Sequence, residues 1–371
     1  MGMVFMVIAA SLFVALQNFL YSRFWKRGLT FDLSFSEKTV TEGASLLLNE
    51  TIANAKPLPL PWLAVKFQLS RELANDSANS KISDDYYRND LFSVSAYQRI
   101  TRRLPFICMK RGYYTVKSID LVCSNILHSQ KLVAHIDCSA AVTVYPKLLP
   151  TDELPIPCKQ ILGETLARRF MQPDPFEFKS IREYQPYDGF KNVNFKATAK
   201  SGKLMVNVND CTVSRHVLLM LNLQPYSSWV SFSLFEHAIR LAASISTEMA
   251  EEGVPLRFIT NGLDIAASQP ADIRSGSGSG HLANIYETLA RIDLAKTAAP
   301  FAQELGCHAI AEETEPAYIL ISTYHEGDLR EEFQRLLDMG ASALWIIPAF
   351  DDMQVKAPQG ESIVKWVVKE K

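Results

Sequence analysis

The sequence predicts an α/β protein with an all-β insert, in which an N-terminal transmembrane helix is followed by a β-sandwich-like domain and a doubly wound α/β domain. Three observations lead to this prediction. An uncharged apolar run opens the chain, short alternating strands continue to Pro146, and apolar strands alternate with amphipathic helices from His216 onward. The expected boundaries are 1–28 for the anchor and its basic flank, 29–150 for the β-rich domain, 151–212 for a linker with a distinctive motif, and 213–371 for the α/β domain.

The composition excludes several classes of protein and partner. The chain has 371 residues, of which 48% are hydrophobic and 21% are charged, and this ordinary globular balance excludes a disordered chain or a polytopic transporter. The 38 basic and 40 acidic residues give a net charge of -2, so we expect no nucleic-acid partner. The six cysteines lie singly, without the paired spacing of a zinc site, and we expect no cofactor.

The apolar run from Met3 to Tyr21 is the expected membrane anchor. It contains no charged residue, and at ~1.5 Å per residue it can just cross a hydrocarbon core of ~30 Å. No basic residue precedes it and no small-x-small cleavage site follows it, so we expect the run to be retained. The three basic residues Arg23, Lys26 and Arg27 follow it, and the positive-inside rule therefore predicts a single-pass protein of the cell membrane with its bulk in the cytoplasm.

An interfacial or buried core helix is the alternative for this run. The polar pair Gln17 and Asn18 lies near its end, where a spanning helix would be expected to stay apolar.

Short strands dominate the segment between Leu29 and Pro146. Runs such as LTFDLSFS, ASLLLNETI, WLAVKFQLS, YYTVKSIDLV and AAVTVYP alternate or are continuously apolar, and turn residues separate them. This pattern predicts an antiparallel sandwich or barrel. The stretch from Asn75 to Asn89 is rich in Asn, Asp and Ser and predicts an exposed loop.

Strands and helices alternate in the carboxyl-terminal half. The apolar runs HVLLMLNL, PLRFIT, AYILIST and ALWIIP are typical of buried parallel strands. Helical spacing predicts helices over 234–252 and 281–292, and a further helix with Leu329, Phe333 and Leu336 on one face. The segment SGSGSG, from Ser275 to Gly280, predicts a flexible loop because it lacks the GxGxxG spacing of a phosphate cradle.

The most distinctive stretch runs from Asp174 to Val208 and reads DPFEFKSIREYQPYDGFKNVNFKATAKSGKLMVNV. It resembles the signature of the domain of unknown function 58 family, F-x-x-(L/I)-R-x-Y-x-x-G-D-x-x-x-x-I-x-W-K-A-(S/T)-A-(R/K)-x-G-x-L-x-V. The residues that match directly or by a close equivalent are Ile181, Arg182, Tyr184, Asp188, Val193, Lys196, Ala197, Thr198, Ala199, Lys200, Gly202, Leu204 and Val206. The chain departs from the signature at Tyr187, Gly189 and Phe195, so the tight turn of the family is not carried over to this stretch.

This resemblance implies an architecture and a partner. Members of the family combine a membrane-anchored start, a strand-rich insert ending in VYP, and a von Willebrand factor A-like carboxyl half. They are associated with MoxR-type AAA+ ATPases. The resemblance therefore implies a membrane-anchored, cytoplasm-facing adaptor or protein-interaction protein, without an enzymatic activity of its own.

The candidate interaction residues all lie in this stretch: Arg182, Glu183, Tyr184, Asp188, Asn194, Phe195, Lys196 and Lys200. One interpretation is a structural cluster in which Arg182 pairs with Glu183 or Asp188. Another is an anion-binding module, in which the lysines of the stretch bind a phosphate or an acidic surface. A third is a hydrolase-type enzyme that uses Glu183 and Asp188 as general acid and base.

The residues after the first strand of the α/β domain are the expected ligand edge of its sheet. A von Willebrand factor A domain with a working metal site shows D-x-S-x-S there, whereas this chain has Asn222 and Gln224 at the first two of those positions. Thr323, Tyr324 and His325 follow the strand AYILIST without an acidic residue. Hard divalent cations need carboxylate oxygens, so we predict no bound magnesium at these degenerate metal-site positions.

Overall fold

The computed structural model describes residues 2–74, 85–150, 178–185, 189–209, 216–225, 232–296, 298–311, 316–351, 353, 355 and 362–368. The chain divides into two compact units, Met1–Lys147 and Leu148–Lys371. An apolar N-terminal helix, mixed α/β sheets and six α-helices in the described part confirm the coarse architecture predicted from the sequence.

Helix α1 spans Gly2–Phe24 and is long and apolar enough to cross a membrane. Most of its side chains are exposed, as expected for a helix in contact with lipid. Its last turns differ, because Gln17 and Tyr21 are buried against the β-strands that follow, as is Trp25 just after the helix. The Tyr21 hydroxyl donates a hydrogen bond of 2.7 Å to the carbonyl oxygen of Pro59.

The first unit is a sandwich of two sheets. Its strands are β1 (Leu29–Phe35), β2 (Thr39–Thr41), β3 (Ser45–Asn54), β4 (Leu60–Ser70), β5 (Leu73–Ala74), β6 (Asp85–Val94), β7 (Arg99–Cys108), β8 (Gly112–Ser124) and β9 (Lys131–Tyr145). The sheet orders are β1-β3-β7-β5 and β2-β9-β8-β4-β6, and every pair except β2 with β9 is antiparallel. Burial alternates along β3 and β4, so one face of each strand lines a single apolar core.

The prediction of an exposed loop from Asn75 to Asn89 is wrong for the carboxyl end of that segment. Strand β6 begins at Asp85, which pairs with Ser70 of β4. Tertiary pairing overrides the polar composition there, because β4 has an open edge that β6 fills. Residues 75–84 lie outside the described part of the chain.

The second unit contains a six-stranded sheet. Its elements are β10 (Phe178–Glu183), α2 (Phe195–Ser201), β11 (Met205–Asn209), β12 (Val217–Asn222), α3 (Phe232–Glu251), β13 (Leu256–Thr260), β14 (Ala271–Gly276), α4 (Ser279–Arg291), α5 (Ala302–Ala311), β15 (Ala317–Ser322), α6 (Asp328–Asp338), β16 (Ala343–Ala349) and β17 (Ile363–Val367). The sheet order is β14-β13-β12-β15-β16-β17, and only the edge strand β14 runs antiparallel to its neighbour. This is a doubly wound order: β13 and β14 extend the sheet on one side of β12, and β15, β16 and β17 then extend it on the other side.

Helices cover both faces of this sheet. Helices α3 and α4 pack on the face formed by Val217, Leu219 and Leu221 of β12. Helices α5 and α6 pack on the opposite face, against Leu218 and Met220 of the same strand. Strand β12 is therefore buried on both sides, which explains why its sequence is continuously apolar.

The segment from Ser275 to Gly280 is more ordered than its composition predicts. Ser275 and Gly276 end strand β14, and Ser279 and Gly280 begin helix α4. Only Ser277 and Gly278 connect the two elements. Small residues are needed here, because a Cβ on Gly276 would lie 2.7 Å from Nδ1 of His281.

The sandwich encloses a charged cluster between its two sheets. Asp90 of β6 accepts hydrogen bonds from Arg88 and, at 3.1 Å, from Nη1 of Arg102. Glu50 of β3 is fully buried beside them and lies opposite Arg102 in the strand register. Burial raises the pKa of Glu50 to about 8, and the nearby carboxylate of Asp90 adds to the shift. Glu50 therefore retains its proton at neutral pH.

We predict that Glu50 makes the stability of the sandwich depend on pH. The free energy of unfolding should fall as the pH rises from about 4.5 to about 8, because the folded state holds a proton on Glu50 that the unfolded state releases. Glu50→Gln mimics the neutral acid, so it should lose this slope and exceed the wild type above pH 8 by more than about 1 kcal/mol.

Urea unfolding of the full-length protein in detergent across this pH range measures the effect. The exposed residue Glu37 provides the control, since Glu37→Gln should keep the wild-type slope. A Glu50→Gln variant with the same slope as the wild type contradicts the assignment.

Candidate interaction site

The matching stretch forms a small folded unit in the described residues 178–185 and 189–209, which we call the signature unit. Strands β10 and β11 pair antiparallel, with Arg182 opposite Val206. A 3-10 turn (Phe190–Asn192) and helix α2 lie between the two strands. Val193 and Val206 are buried against each other, whereas helix α2 buries none of its residues.

Polar side chains hold the signature unit together. Asn194 caps helix α2, since its Oδ1 accepts a hydrogen bond of 2.9 Å from the Ala197 amide. The Asn194 Nδ2 donates to Oδ1 of Asn207 at 2.7 Å, which ties the cap to strand β11. Thr198 Oγ1 accepts from the Met205 amide, and Gly202 ends the helix in the left-handed region at a φ of 69°. These contacts give Asn194, Thr198 and Gly202 structural roles.

The charged residues of the signature unit are largely in water. The Glu183 carboxylate pairs with Lys203, whose Nζ lies 2.6 Å from Oε1 of Glu183. Arg182 donates from Nη1 to the carbonyl oxygen of Glu183 at 3.1 Å. Both members of the Glu183 and Lys203 pair are more than half exposed, so the pair contributes little to stability. The pairing also raises the pKa of Lys203. Asp188 lies outside the described residues.

Large apolar side chains project from the same unit. Phe190 is 67% exposed and Phe195 is 69% exposed, and Ile181 and Leu204 are exposed to a smaller degree. Lys196 and Lys200, one turn apart on helix α2, are exposed as well, whereas Tyr184 is half-buried. Seven of the eight candidate residues thus lie on a single unit in which an ordered backbone presents aromatic and basic groups to solvent. The sequence did not indicate that Asn207 binds the capping residue Asn194 or that Lys203 pairs with Glu183.

The carboxyl edge of the sheet has a different character. Asn222 is fully buried, and its Oδ1 accepts from the Gln224 amide at 2.9 Å and from Nδ2 of Asn261 at 2.7 Å. Its Nδ2 donates to Oγ of Ser322 at 3.0 Å. Gln224 Oε1 accepts from the Phe301 amide at 3.3 Å. The polar atoms at the end of β12 are thus engaged in linking three parallel strands.

Asn261 and Ser322 were not recognised in the sequence. Each stands at the end of an apolar strand, as Asn222 does, and this shared position is the signal that would have found them. Among the residues that the structure describes, no group of three or more His, Cys, Asp or Glu side chains comes together as a metal site. The absence of bound magnesium stays a prediction.

No family model matches the chain, and no curated protein matches it. Among solved structures, an alkylpurine DNA glycosylase from Pseudomonas fluorescens is 14% identical, with 32% of this chain and 31% of that chain covered and a TM-score of 0.21. The CARDB domain of a Pyrococcus furiosus protein is 12% identical over 31% of this chain and 90% of that one, with a TM-score of 0.20. A non-cellulosomal cohesin from Archaeoglobus fulgidus is 9% identical over 31% of this chain and 90% of that one, with a TM-score of 0.22. Similarity this low establishes neither a shared fold nor a shared function.

We predict that Asn222→Ala destabilises the second unit by about 2 to 4 kcal/mol, because it leaves buried amide and hydroxyl groups without their partner. Gln224→Ala is the matched control, since it removes one longer hydrogen bond at a half-buried position and should cost less than about 1.5 kcal/mol. Thermal and urea unfolding of the two variants measure the difference. Equal free energies of unfolding for the two variants would show that the hydrogen bonds of Asn222 do not stabilise the sheet more than that of Gln224.

Proposed function

We propose that this protein is a membrane-anchored, cytoplasm-facing adaptor that docks a MoxR-type AAA+ ATPase through the signature unit. The observation that carries the proposal is the exposure of Phe190 and Phe195 on a unit whose backbone is held by caps and cross-strand hydrogen bonds. The identity of the partner rests on the resemblance of the stretch from Asp174 to Val208 to the domain of unknown function 58 family.

Exposed aromatic side chains on an ordered surface favour a protein partner. Exposed apolar patches of this kind mark binding sites, and buried aromatic residues contribute most of the binding energy at protein interfaces. Lys196 and Lys200 add positive charge one helical turn apart beside Phe195. A complementary partner would therefore offer an apolar pocket with an acidic rim.

The anchor and the α/β domain support the same proposal. Helix α1 has the length and apolar surface of a membrane span, and the basic residues Arg23, Lys26 and Arg27 favour a cytoplasmic location for the bulk. The doubly wound sheet with helices on both faces agrees with the proposed von Willebrand factor A-like domain. Because the amides at its carboxyl edge bind each other, we assign partner binding to the signature unit and not to a metal at that edge.

The hydrolase alternative has weaker support. A general acid is commonly held in an apolar pocket, whereas the Glu183 carboxylate is 61% exposed and paired with Lys203. The anion-binding alternative remains compatible with the exposed Lys196 and Lys200, and it differs from the adaptor in its response to salt.

We predict that Phe195→Ala reduces capture of the ATPase at least tenfold and leaves the melting temperature unchanged, because the side chain contacts mainly solvent in the free protein. Co-purification from native membranes with the nucleotide-trapped ATPase measures capture. Phe232→Ala is the matched control, as Phe232 is 60% exposed in the same unit of the chain but belongs to helix α3. Equal capture by both variants contradicts docking through the signature unit. If moderate salt abolishes capture by the wild type and Phe195→Ala has no effect, the result favours the anion-binding module.

We also predict the topology. A reporter enzyme that is active only outside the cytoplasm, fused after Lys371, should be inactive, because Arg23, Lys26 and Arg27 hold their end of helix α1 on the cytoplasmic side. A fusion to a reporter that folds only in the cytoplasm is the control and should be active. Strong activity of the first fusion reverses the assignment.

A further inference from the structure

A large apolar pocket lies where helix α1 meets the sandwich. Its volume is about 730 Å³, which is within the range of ligand-binding cavities. Leu20 and Phe24 of helix α1 form one wall, Arg27 and Gly28 follow them, and the connection between β3 and β4 forms the other wall. That connection supplies the residues Ala55, Lys56, Pro57, Leu58 and Pro59.

The two walls are fixed to each other by hydrogen bonds at both ends. The Tyr21 hydroxyl donates to the Pro59 carbonyl oxygen at 2.7 Å, and the Ala55 amide donates to the Gly28 carbonyl oxygen at 2.7 Å. Gly28 has a φ of +66°, a conformation that disfavours any residue with a Cβ, and the chain needs it to turn from the helix into β1. The pocket is therefore a built feature of the fold.

The position of the pocket along helix α1 places it at the membrane surface. Asn18, which lies within the apolar run, accepts hydrogen bonds from Asn125 at 2.6 Å and Ser129 at 3.0 Å. The loop from Asn125 to Gln130 therefore reaches the depth of that run, and it exposes two apolar side chains, Ile126 and Leu127. Arg27, about two turns beyond Leu20, is at the level where basic residues meet lipid headgroups.

Lys56 is the unusual residue of this pocket. It is 93% buried, and its Nζ has no hydrogen-bond partner among the residues that the structure describes. Burial lowers the pKa of Lys56 from its ordinary value of 10.5. The Nζ is enclosed on the side of the core residue Cys123, while the side chain of Lys56 lines the pocket. A buried ammonium without a counter-ion is unfavourable, so an anionic group that enters the pocket would relieve this penalty once Nζ turns toward it.

We propose that the pocket binds one anionic phospholipid of the surrounding membrane. The exposed Arg27 binds the headgroup phosphate, the enclosed Nζ of Lys56 turns toward it from the pocket wall, and an acyl chain lies against Leu20, Phe24 and Leu58. The charge of the two basic residues matches an anionic headgroup, and the remaining lining is apolar like an acyl chain. The pocket also continues the surface of the helix that enters the bilayer.

This inference rests on the membrane-anchoring part of the proposed function and not on the ATPase. Alkaline carbonate extraction of native membranes tests anchoring alone, and a protein released by carbonate would overturn the anchor. A carbonate-resistant protein without lipid selectivity would overturn only the lipid site. Capture of the ATPase is measured separately through Phe195.

The test is the thermal stability of the full-length protein in neutral detergent, with phosphatidylglycerol, phosphatidylcholine or inorganic phosphate added. We expect a larger rise in melting temperature with phosphatidylglycerol than with phosphatidylcholine, and no rise with phosphate. Lys56→Met keeps the apolar stem and removes the charge. It should melt at or above the wild type without lipid, and its rise with phosphatidylglycerol should fall by at least half.

Lys117→Met is the matched control, because Lys117 is exposed on strand β8 and does not line the pocket. It should keep the wild-type response. Equal rises with both lipids, or a full response of Lys56→Met to phosphatidylglycerol, would overturn the proposal. A rise with phosphate alone would identify a site for a free anion and would overturn the lipid site as well.

If Lys56→Met does not fold, Arg27→Gln serves as the second variant, since Arg27 is exposed and its loss leaves the core intact. It should weaken the response to phosphatidylglycerol. Native mass spectrometry of the wild type should retain one phosphatidylglycerol per chain in preference to phosphatidylcholine, and equal retention of the two lipids would contradict the site.

Discussion

The burial of Tyr21 and Trp25 at the end of helix α1 is the packing contact on which the first unit depends. These two aromatic residues belong to the same apolar core as the inward-facing residues of the sandwich. A helix with an apolar surface on all sides has no preferred orientation in a bilayer, but these contacts hold one side of its last turns against the β-strands. They also bring Asn18 to Asn125 and Ser129, whose hydrogen bonds make this polar residue acceptable near the end of an apolar helix.

The same packing gives the sandwich an end that lies against helix α1. The connection from Ala55 to Pro59 and the loop from Asn125 to Gln130 both bind the helix through hydrogen bonds. This attachment buries Lys56 beside the helix. It leaves Ile126 and Leu127 exposed in the loop that contacts Asn18. The opposed sheets enclose a second set of charges around Glu50 and Asp90, near the middle of strands β3 and β6.

In the second unit, hydrogen bonds determine which side chains remain exposed in two polar regions, the carboxyl edge of the sheet and the signature unit. The amides of Asn222 and Asn261 bind one another at the sheet edge and so act as structural links between strands. In the signature unit, Asn194 and Thr198 satisfy the backbone of helix α2 and strand β11, which leaves Phe195 and the lysines to face solvent. Both regions are rich in polar residues, yet the first is closed by its own hydrogen bonds and the second exposes aromatic and basic side chains to solvent.

The sequence by itself determined the elements whose residues repeat with a clear period. The alternation in β3 and β4, the continuous apolar run of β12 and the helical spacing in α3 and α4 follow from local geometry, so they were predicted correctly. Strands β14 and β17 and helix α5 were not predicted, because their patterns are weak and they form by pairing with or packing on stronger neighbours. Only the tertiary structure decided that Lys203 pairs with Glu183, that Asn261 reaches Asn222, and that Lys56 is buried beside helix α1. These contacts join residues far apart in the chain, and no local period records which distant side chain folding will bring into contact.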